Sequence, residues 1–286
     1  MLATFIIFLR EGVEAAMIVA ILLAYLRQLG QTEHFRDVAY GVTAAFVLTL
    51  AGGVGAYFTI AHYAGSRVQL YFETVTYVVA AVFLTLMALW MHQHARTMAG
   101  ELRARSDAAL SAPNRWGLRL LAFQSVGREG LETMVFTLAI LFANSHQSAT
   151  PVHDRLVIVG ALAGLAVAMV LAVMMYRLGT RINLGVFFRV LGVVLTLFAA
   201  GLVADAVENF QQLGWMGVGT HVVWNTASVL NQSSNAGDVA HSLLGYADRP
   251  TILQLLAWGG YVAASLGVAR WWGRHDHARR RANHAA

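Results

Sequence analysis

The chain lacks cysteine and lysine altogether, and only 12% of its 286 residues are charged. Without cysteine it can form no disulfide, no thiolate metal site and no thiol redox centre. A soluble globular protein carries about 25% charged residues, so half of the usual charge is missing. The chain is also 58% hydrophobic, with apolar runs of about 20 residues, which excludes an ordinary soluble protein and predicts an all-α polytopic membrane protein.

Seven segments are long and apolar enough to form transmembrane helices. We expect one transmembrane domain over residues 1–273 and a basic cytoplasmic tail at 274–286. A long outer loop, about residues 211–250, precedes the seventh helix. The predicted helices run roughly Ala3–Leu26, Val38–Ala61, Leu70–His92, Gly117–Asn144, Leu156–Arg177, Val186–Phe210 and Thr251–Trp272.

The distribution of arginine among the loops predicts the topology, because basic residues collect in cytoplasmic loops. The first, third and fifth loops and the tail are rich in arginine, whereas the other loops hold only Arg67, Arg155 and Arg249. We therefore place the N-terminus outside and the C-terminus in the cytoplasm, in a multi-pass protein of the cytoplasmic (inner) membrane. The net charge of +5 does not indicate a nucleic-acid partner, since these arginines lie at membrane edges beside the lipid bilayer.

Two copies of one charged motif interrupt the apolar segments. Arg10-Glu11-Gly12-Val13-Glu14 lies in the first, and Arg128-Glu129-Gly130-Leu131-Glu132 lies in the fourth. One charged side chain at a bilayer centre costs about 2.5–3.5 kcal/mol on insertion scales, so charged groups at that depth are usually functional. The two motifs are the main indication of what the protein does.

The spacing within each motif predicts a metal site. Glu11 and Glu14 are three residues apart and share a helix face, as do Glu129 and Glu132, while each arginine can pair with the glutamate four positions on. If the two helices cross at the motifs, four carboxylates converge beside Arg10 and Arg128. Carboxylates are hard ligands, suited to Fe³⁺, Mn²⁺, Mg²⁺ or Ca²⁺.

The two halves of the chain are predicted to form a 3+3 inverted repeat with a seventh helix appended. The topology presents the two motifs in opposite directions, and residues 84–88 (LTLMA) match residues 195–199 (LTLFA). Repeat one covers about residues 1–98, and repeat two covers about residues 115–212. Inverted repeats with a polar site near the midplane are typical of transporters.

The sequences REGVE at 10–14 and REGLE at 128–132 resemble the paired REGLE motifs of the oxidase-dependent iron permeases, the FTR/EfeU family. The resemblance implies import of iron, favoured here as ferric ion, with Glu11, Glu14, Glu129 and Glu132 as its contacts. It implies no permanently bound cofactor, since iron is the transported substrate. It also implies periplasmic iron-binding or oxidase/peroxidase partner proteins, because this chain carries neither a copper site nor a haem motif.

Further polar residues are candidates for the two mouths of the path. The resemblance extends to an acidic pair outside the core, so Asp205 and Glu208 are a candidate outer mouth, with Glu73 as a weaker one. By the repeat alignment His92 and His94 fall at the inner mouth, where they can accept metal or simply end a helix.

Four alternatives to an iron permease stay open at this stage. The motifs can be salt bridges that only hold helices together, or the site can carry lead, manganese or another cation. A di-iron membrane enzyme is disfavoured because neither motif has the Glu-x-x-His pattern of such centres. A membrane scaffold for other iron proteins does not need acid pairs in two oppositely directed helices.

Overall fold

The computed structural model describes residues 1–63, 65–94, 98–111, 116–145, 151–178, 184–232 and 234–285. Within these ranges the chain forms nine α-helices, one 3₁₀ turn at Thr32–His34 and no strand. The helices are α1 (Leu2–Gln28), α2 (Phe35–His62), α3 (Arg67–His94), α4 (Met98–Ser111), α5 (Trp116–Ser145), α6 (Pro151–Leu178), α7 (Leu184–Gln212), α8 (Asn235–Leu244) and α9 (Ile252–Ala285).

Each of the seven predicted segments corresponds to one long helix, and the prediction of an all-helical membrane protein is confirmed. Among the described residues, four helical stretches are long and apolar enough to cross a membrane: Thr32–Thr59, Arg67–Ala88, Val157–Met174 and Val190–Gln212. α1 and α5 carry the charged motifs, and the apolar part of α9, Ile252–Val268, is short. The count of seven crossings and the sides on which the termini lie stay predictions.

Two short helices, α4 and α8, were not among the seven predicted segments. α4 lies in the predicted third loop and packs against α1 and α5. α8 lies in the long outer loop and packs against α7, α1 and α5. Glycines in left-handed conformations end α1, α7 and α8 close to their last turns, at Gly30, Gly214 and Gly245, as expected of a residue without a Cβ.

The helices pack in pairs. α1 packs on α6, α5 packs on α2, α3 packs on α7, and α1 also contacts α5, while α9 packs on α7. The pairs are symmetric between the two halves of the chain, with α1, α2 and α3 corresponding to α5, α6 and α7. Under this correspondence α1–α6 becomes α5–α2, while α3–α7 and α1–α5 stay the same. Each half therefore contributes to the packing of the other, and the two halves cannot be separate folding units.

The closest backbone approaches repeat the same correspondence. A Cβ added to Gly41 in α2 lies 2.3 Å from the carbonyl oxygen of Arg119 in α5, and one added to Gly160 in α6 lies 2.4 Å from that of Met1 beside α1. Gly41 and Gly160 are 119 residues apart, and Met1 and Arg119 are 118 apart. Only glycine permits these helix contacts.

Two apolar clusters fill the bundle and fix the directions of α1 and α5. The first joins Ala3 and Ile7, near the start of α1, to residues 136–142, near the end of α5. The second joins the end of α1, from Ile18 to Leu26, to Leu118 and Ala122 near the start of α5. α1 and α5 are therefore antiparallel, and both charged motifs lie between the two clusters.

Candidate metal site between α1 and α5

The antiparallel crossing brings three of the predicted carboxylates together. Glu11, Glu14 and Glu129 each offer an oxygen atom, and these atoms all lie within 4.8 Å of one another. The three residues are 2%, 2% and 7% exposed. No other group of three such side chains meets this limit among the described residues. One cation can therefore touch all three carboxylates after small movements of their side chains.

Glu132 is buried beside this group, but it is not a member of it. The side chain is 5% exposed, and one of its oxygens accepts a hydrogen bond from Arg128 Nε at 3.0 Å. Its charge also acts on Glu11 and Glu14 across the helix pair. The structure thus keeps Glu132 in the same electrostatic site.

The two arginines pair with the glutamates as their spacing predicts. Arg10 contacts Glu11 through Nη1 at 3.1 Å and Glu14 through Nε at 3.2 Å. Arg128 contacts Glu132 at 3.0 Å. Arg10 also attracts Glu129 and Glu132 from the facing helix. Guanidinium groups offset part of the large cost of burying like charges together.

Carboxylate oxygens in this site remain available to a ligand. Oε2 of Glu11, Glu129 and Glu132 is buried and has no hydrogen-bond partner among the described residues. A buried acceptor without a partner costs about 1–3 kcal/mol. The formal charge of four carboxylates and two guanidiniums is −2, so a hard cation would supply both the missing partners and the missing positive charge.

The central glycine of each motif brings a third and a fourth helix against the site. A Cβ on Gly12 lies 2.8 Å from the Cβ of Ala168 in α6, and one on Gly130 lies 2.7 Å from Cγ2 of Thr49 in α2. Neither distance is a normal carbon contact. Glycine between the acids therefore lets α6 and α2 pack directly behind the two motifs.

The three candidate residues of the outer mouth all act on one buried tyrosine. Glu73, Asp205 and Glu208 all interact electrostatically with Tyr77, which is 1% exposed. Glu73 is fully buried and accepts a hydrogen bond from Gln69 at 2.6 Å. Glu208 accepts one from Gln254 of α9 at 2.8 Å.

The remaining predicted site residues, His92 and His94, occupy the last turn of α3. Their side chains lie outside the part of the structure that is described, so their role stays a prediction. Sequence reasoning singled out no role for two residues of the outer loop, Asp238 and His241. Both belong to α8 and are buried, at 8% and 6% exposure. Their burial could not be predicted from the sequence, because this polar loop has no hydrophobic periodicity.

Comparison with known proteins agrees with the motif. The sequence family described as "Iron permease FTR1 family" matches residues 1–271. The "Ferrous iron permease EfeU" of Escherichia coli O6:K15:H31 (strain 536 / UPEC) is 32% identical over 268 residues, covering 93% of this chain and 94% of the relative.

Two other relatives show the same extent of similarity. The "Ferrous iron permease EfeU" of Yersinia pestis is 30% identical over 268 residues, covering 93% of this chain and 92% of its own. The "Putative inactive ferrous iron permease EfeU" of Escherichia coli (strain K12) is 32% identical over the same length. No solved structure matches the chain. Because both the family match and these relatives cover nearly the whole sequence, the chain belongs to the iron permease FTR1 family.

Proposed function

We propose that this protein imports iron by passing the ion through the buried site between α1 and α5. Membership of the family makes it an iron transporter of a membrane and not an enzyme. The observation that carries the finer proposal is the convergence of Glu11, Glu14 and Glu129, within 4.8 Å, from two antiparallel helices. Buried acids with unmet oxygens serve no structural purpose that an apolar side chain could not serve better.

We propose that the ion carried is Fe²⁺. Oxygen-only ligands had favoured Fe³⁺, but they bind Fe²⁺ as well, and the relatives are named as ferrous iron permeases. One Fe²⁺ balances the formal charge of −2 on the four glutamates and two arginines, whereas Fe³⁺ leaves an excess positive charge. Uptake of iron supplied with ascorbate, compared with uptake of ferric citrate, separates the two ions.

The architecture proposed for this function is the 3+3 inverted repeat with α9 appended. It is supported by the antiparallel motif helices, by the exchange symmetry of the helix pairs and by the matched glycine contacts of Gly41 and Gly160. Such repeats place a polar site near the midplane and expose it to each side in turn. The site then lies between two apolar clusters.

We propose the cytoplasmic membrane as the location, with seven crossings, the N-terminus outside and the C-terminus inside. The arginine-rich loops support this orientation. Any iron-binding or oxidase/peroxidase partner would deliver the ion from the outer side, where Glu73, Asp205 and Glu208 are the candidate mouth. The negative interior of the cell favours inward movement of a cation.

Substitution of the acids tests the proposal. We expect Glu11→Ala, Glu14→Ala, Glu129→Ala and Glu132→Ala each to abolish uptake of radioactive iron into cells while the protein still reaches the membrane. Glu33→Ala is the matched control, because its carboxylate is 82% exposed in the first inner loop. Normal uptake in any two of the four site variants would disprove the proposed path.

Selectivity is measured in the same assay. The oxygen-only donor set also suits Mn²⁺, and the lack of cysteine disfavours soft Pb²⁺. We expect Mn²⁺ to compete with iron more strongly than Pb²⁺ does. Uptake into proteoliposomes that contain only this chain would exclude a scaffold role.

A further inference from the structure

Each end of the α1–α5 pair is covered by a short helix. α4 follows α3 and packs against α1 and α5, and α8 follows α7 and packs against the same two helices. Leu102 of α4 belongs to the apolar cluster at the end of α1, whereas Leu243 of α8 packs against the cluster at its start. Each half of the chain therefore contributes one short helix, and the two lie on opposite sides of the glutamates.

The carboxylates of the site are almost out of contact with water in this structure. Glu11, Glu14 and Glu129 are all buried, so an ion can leave them only after packed side chains have moved apart. Toward the end of α1 the packed side chains are those of the second apolar cluster, which includes Leu22 of α1 and Leu102 of α4. Opening on this side therefore requires one of the elements in that cluster to move.

The long helices are joined in pairs that resist separation. A Cβ added to Gly41 of α2 lies 2.3 Å from the carbonyl oxygen of Arg119 in α5, and one added to Gly164 of α6 lies 2.5 Å from that of Phe5 in α1. Arg119 Nε also lies 2.7 Å from Asp37 Oδ1 in α2. Backbones packed this closely cannot slide without losing many contacts. α2 should therefore move with α5, and α6 with α1.

The short helix α4 is fixed to α5 but only docked on α1. Four residues connect α4 to α5, and a Cβ added to Gly117 of α5 lies 2.8 Å from the carbonyl oxygen of Ala109 in α4. On the other side, the hydroxyl of Tyr25 in α1 donates a hydrogen bond to the Asp107 carboxylate of α4. If α1 and α5 move relative to each other, α4 follows α5 and separates from α1.

Little of α4 is buried. Leu102 and Ser106 are buried, but the Ser106 hydroxyl donates to the carbonyl oxygen of Leu102 within α4 and so forms no bond to α1 through that proton. Most other described residues of α4 are exposed, Arg103 and Arg105 among them. Elements with few buried apolar contacts open at a low free energy. Separation of α4 from α1 is thus easier than separation of the long helix pairs.

We propose that α4 is the inner gate of the permease. It stays with α5, separates from the end of α1 and withdraws Leu102 from the apolar cluster, so that the ion leaves the glutamates toward the inside. The hydrogen bond from Tyr25 to Asp107 is the latch that holds the gate closed. This inference rests on the proposed import of iron and on the proposed orientation in the membrane.

Thiol labelling tests the gate without reference to transport. Because the chain has no cysteine, Leu22→Cys places a unique thiol in the cluster that Leu102 enters, at a position that is 1% exposed. We expect a hydrophilic thiol reagent to modify it slowly in the purified full-length protein. Adding Tyr25→Phe should raise the rate about fivefold, since the loss of one hydrogen bond shifts an opening equilibrium by about that factor.

The matched control is Ile7→Cys, which lies in the other apolar cluster and is also 1% exposed. Its labelling rate should not respond to Tyr25→Phe. An equal rise at both positions would overturn the gate, because the substitution would then loosen the whole bundle. Unchanged labelling of Leu22→Cys would overturn it as well. Neither outcome depends on whether the protein carries iron.

Iron uptake with the gate held shut gives the second measurement. Tyr25→Cys combined with Asp107→Cys places one thiol on α1 and one on α4, and a bifunctional methanethiosulfonate reagent can bridge them. We expect the bridge to lower iron uptake about tenfold, as for a lid that cannot open, and a reductant to restore it. The control pair is Gly53→Cys with Met134→Cys, where a Cβ on Gly53 lies 3.2 Å from Met134 Cγ. Bridging this pair should not change uptake, because α2 moves with α5.

The uptake results separate the gate from the permease itself. If the protein bridged between α1 and α4 takes up iron at the unbridged rate while the glutamate variants are inactive, the gate is wrong and the permease proposal stands. If bridging either pair stops uptake, the effect is not specific to α4 and the gate is also wrong. A wild-type protein that takes up no iron contradicts the permease proposal, whereas the labelling result still decides whether α4 opens.

Discussion

The two copies of the charged motif have the same residues but different surroundings. Arg10 is buried, with 5% of its side chain exposed, and it contacts both Glu11 and Glu14. Arg128 contacts Glu132, and 49% of its side chain is exposed. The arginine of the first copy is thus enclosed in the bundle, while that of the second lies at an opening.

The opening beside Arg128 is a cavity of about 490 Å³ between α2, α3 and α5. Arg128 and Glu132 line it together with apolar side chains such as Phe83, Met87 and Phe123. The second copy of the motif therefore lies beside an open, mostly apolar cavity, whereas the arginine of the first copy is enclosed.

Replacing each arginine in turn should give the largest difference in stability between the two copies of the motif. Arg10→Ala leaves the buried carboxylates without their buried partner and should lower the free energy of unfolding by about 3–5 kcal/mol. Arg128→Ala should cost at most about 1 kcal/mol, because the partly exposed pair is weaker. Denaturant unfolding of the purified protein in detergent measures both. Equal losses would contradict the difference in environment that the two burial values describe.

Substitution of the glycines at the closest helix contacts should lower the stability by similar amounts in the two halves of the chain. Gly41→Ala and Gly160→Ala each force a Cβ to within 2.4 Å of a backbone carbonyl oxygen that no side-chain rotation can move. We expect each to cost about 1–3 kcal/mol of unfolding free energy through overpacking.

A matched control for these two variants is Gly55→Ala in α2, where an added Cβ meets no atom within 4 Å. It should be neutral or stabilise the helix by up to about 1 kcal/mol. A large effect at Gly41 with none at Gly160 would break the correspondence between the halves.

The smallest expected effect is at the glycine within the first motif. Gly12→Ala places a Cβ 2.8 Å from the Cβ of Ala168 and 3.6 Å from Leu165, so a small shift of α6 can relieve the contact. We expect a loss of about 1 kcal/mol, which the second substitution Ala168→Gly should largely restore. Failure of that rescue would mean that Gly12 acts through something other than its contact with α6.

Much of the fold could be predicted from the sequence because membrane helices have a strong local signal. Apolar runs of about 20 residues located all seven long helices, and the spacing within the motifs correctly predicted the pairs Arg10–Glu14 and Arg128–Glu132. α4 and α8 fall outside the seven predicted segments because both are short and contain polar residues. Their structure depends on the ends of α1, α5 and α7, against which they pack.

The sequence by itself determined that two acidic clusters enter an apolar bundle, since a composition poor in charge leaves those groups nowhere else to lie. Only the tertiary structure decided which acids meet. Glu11, Glu14 and Glu129 converge while Glu132 stays with Arg128, and Arg10 is enclosed while Arg128 is open. Spacing along a helix sets the face on which a side chain lies. The distance between the faces of two helices depends on how closely α1, α2, α5 and α6 pack. This packing is set by contacts between residues far apart in the chain, which spacing does not reveal.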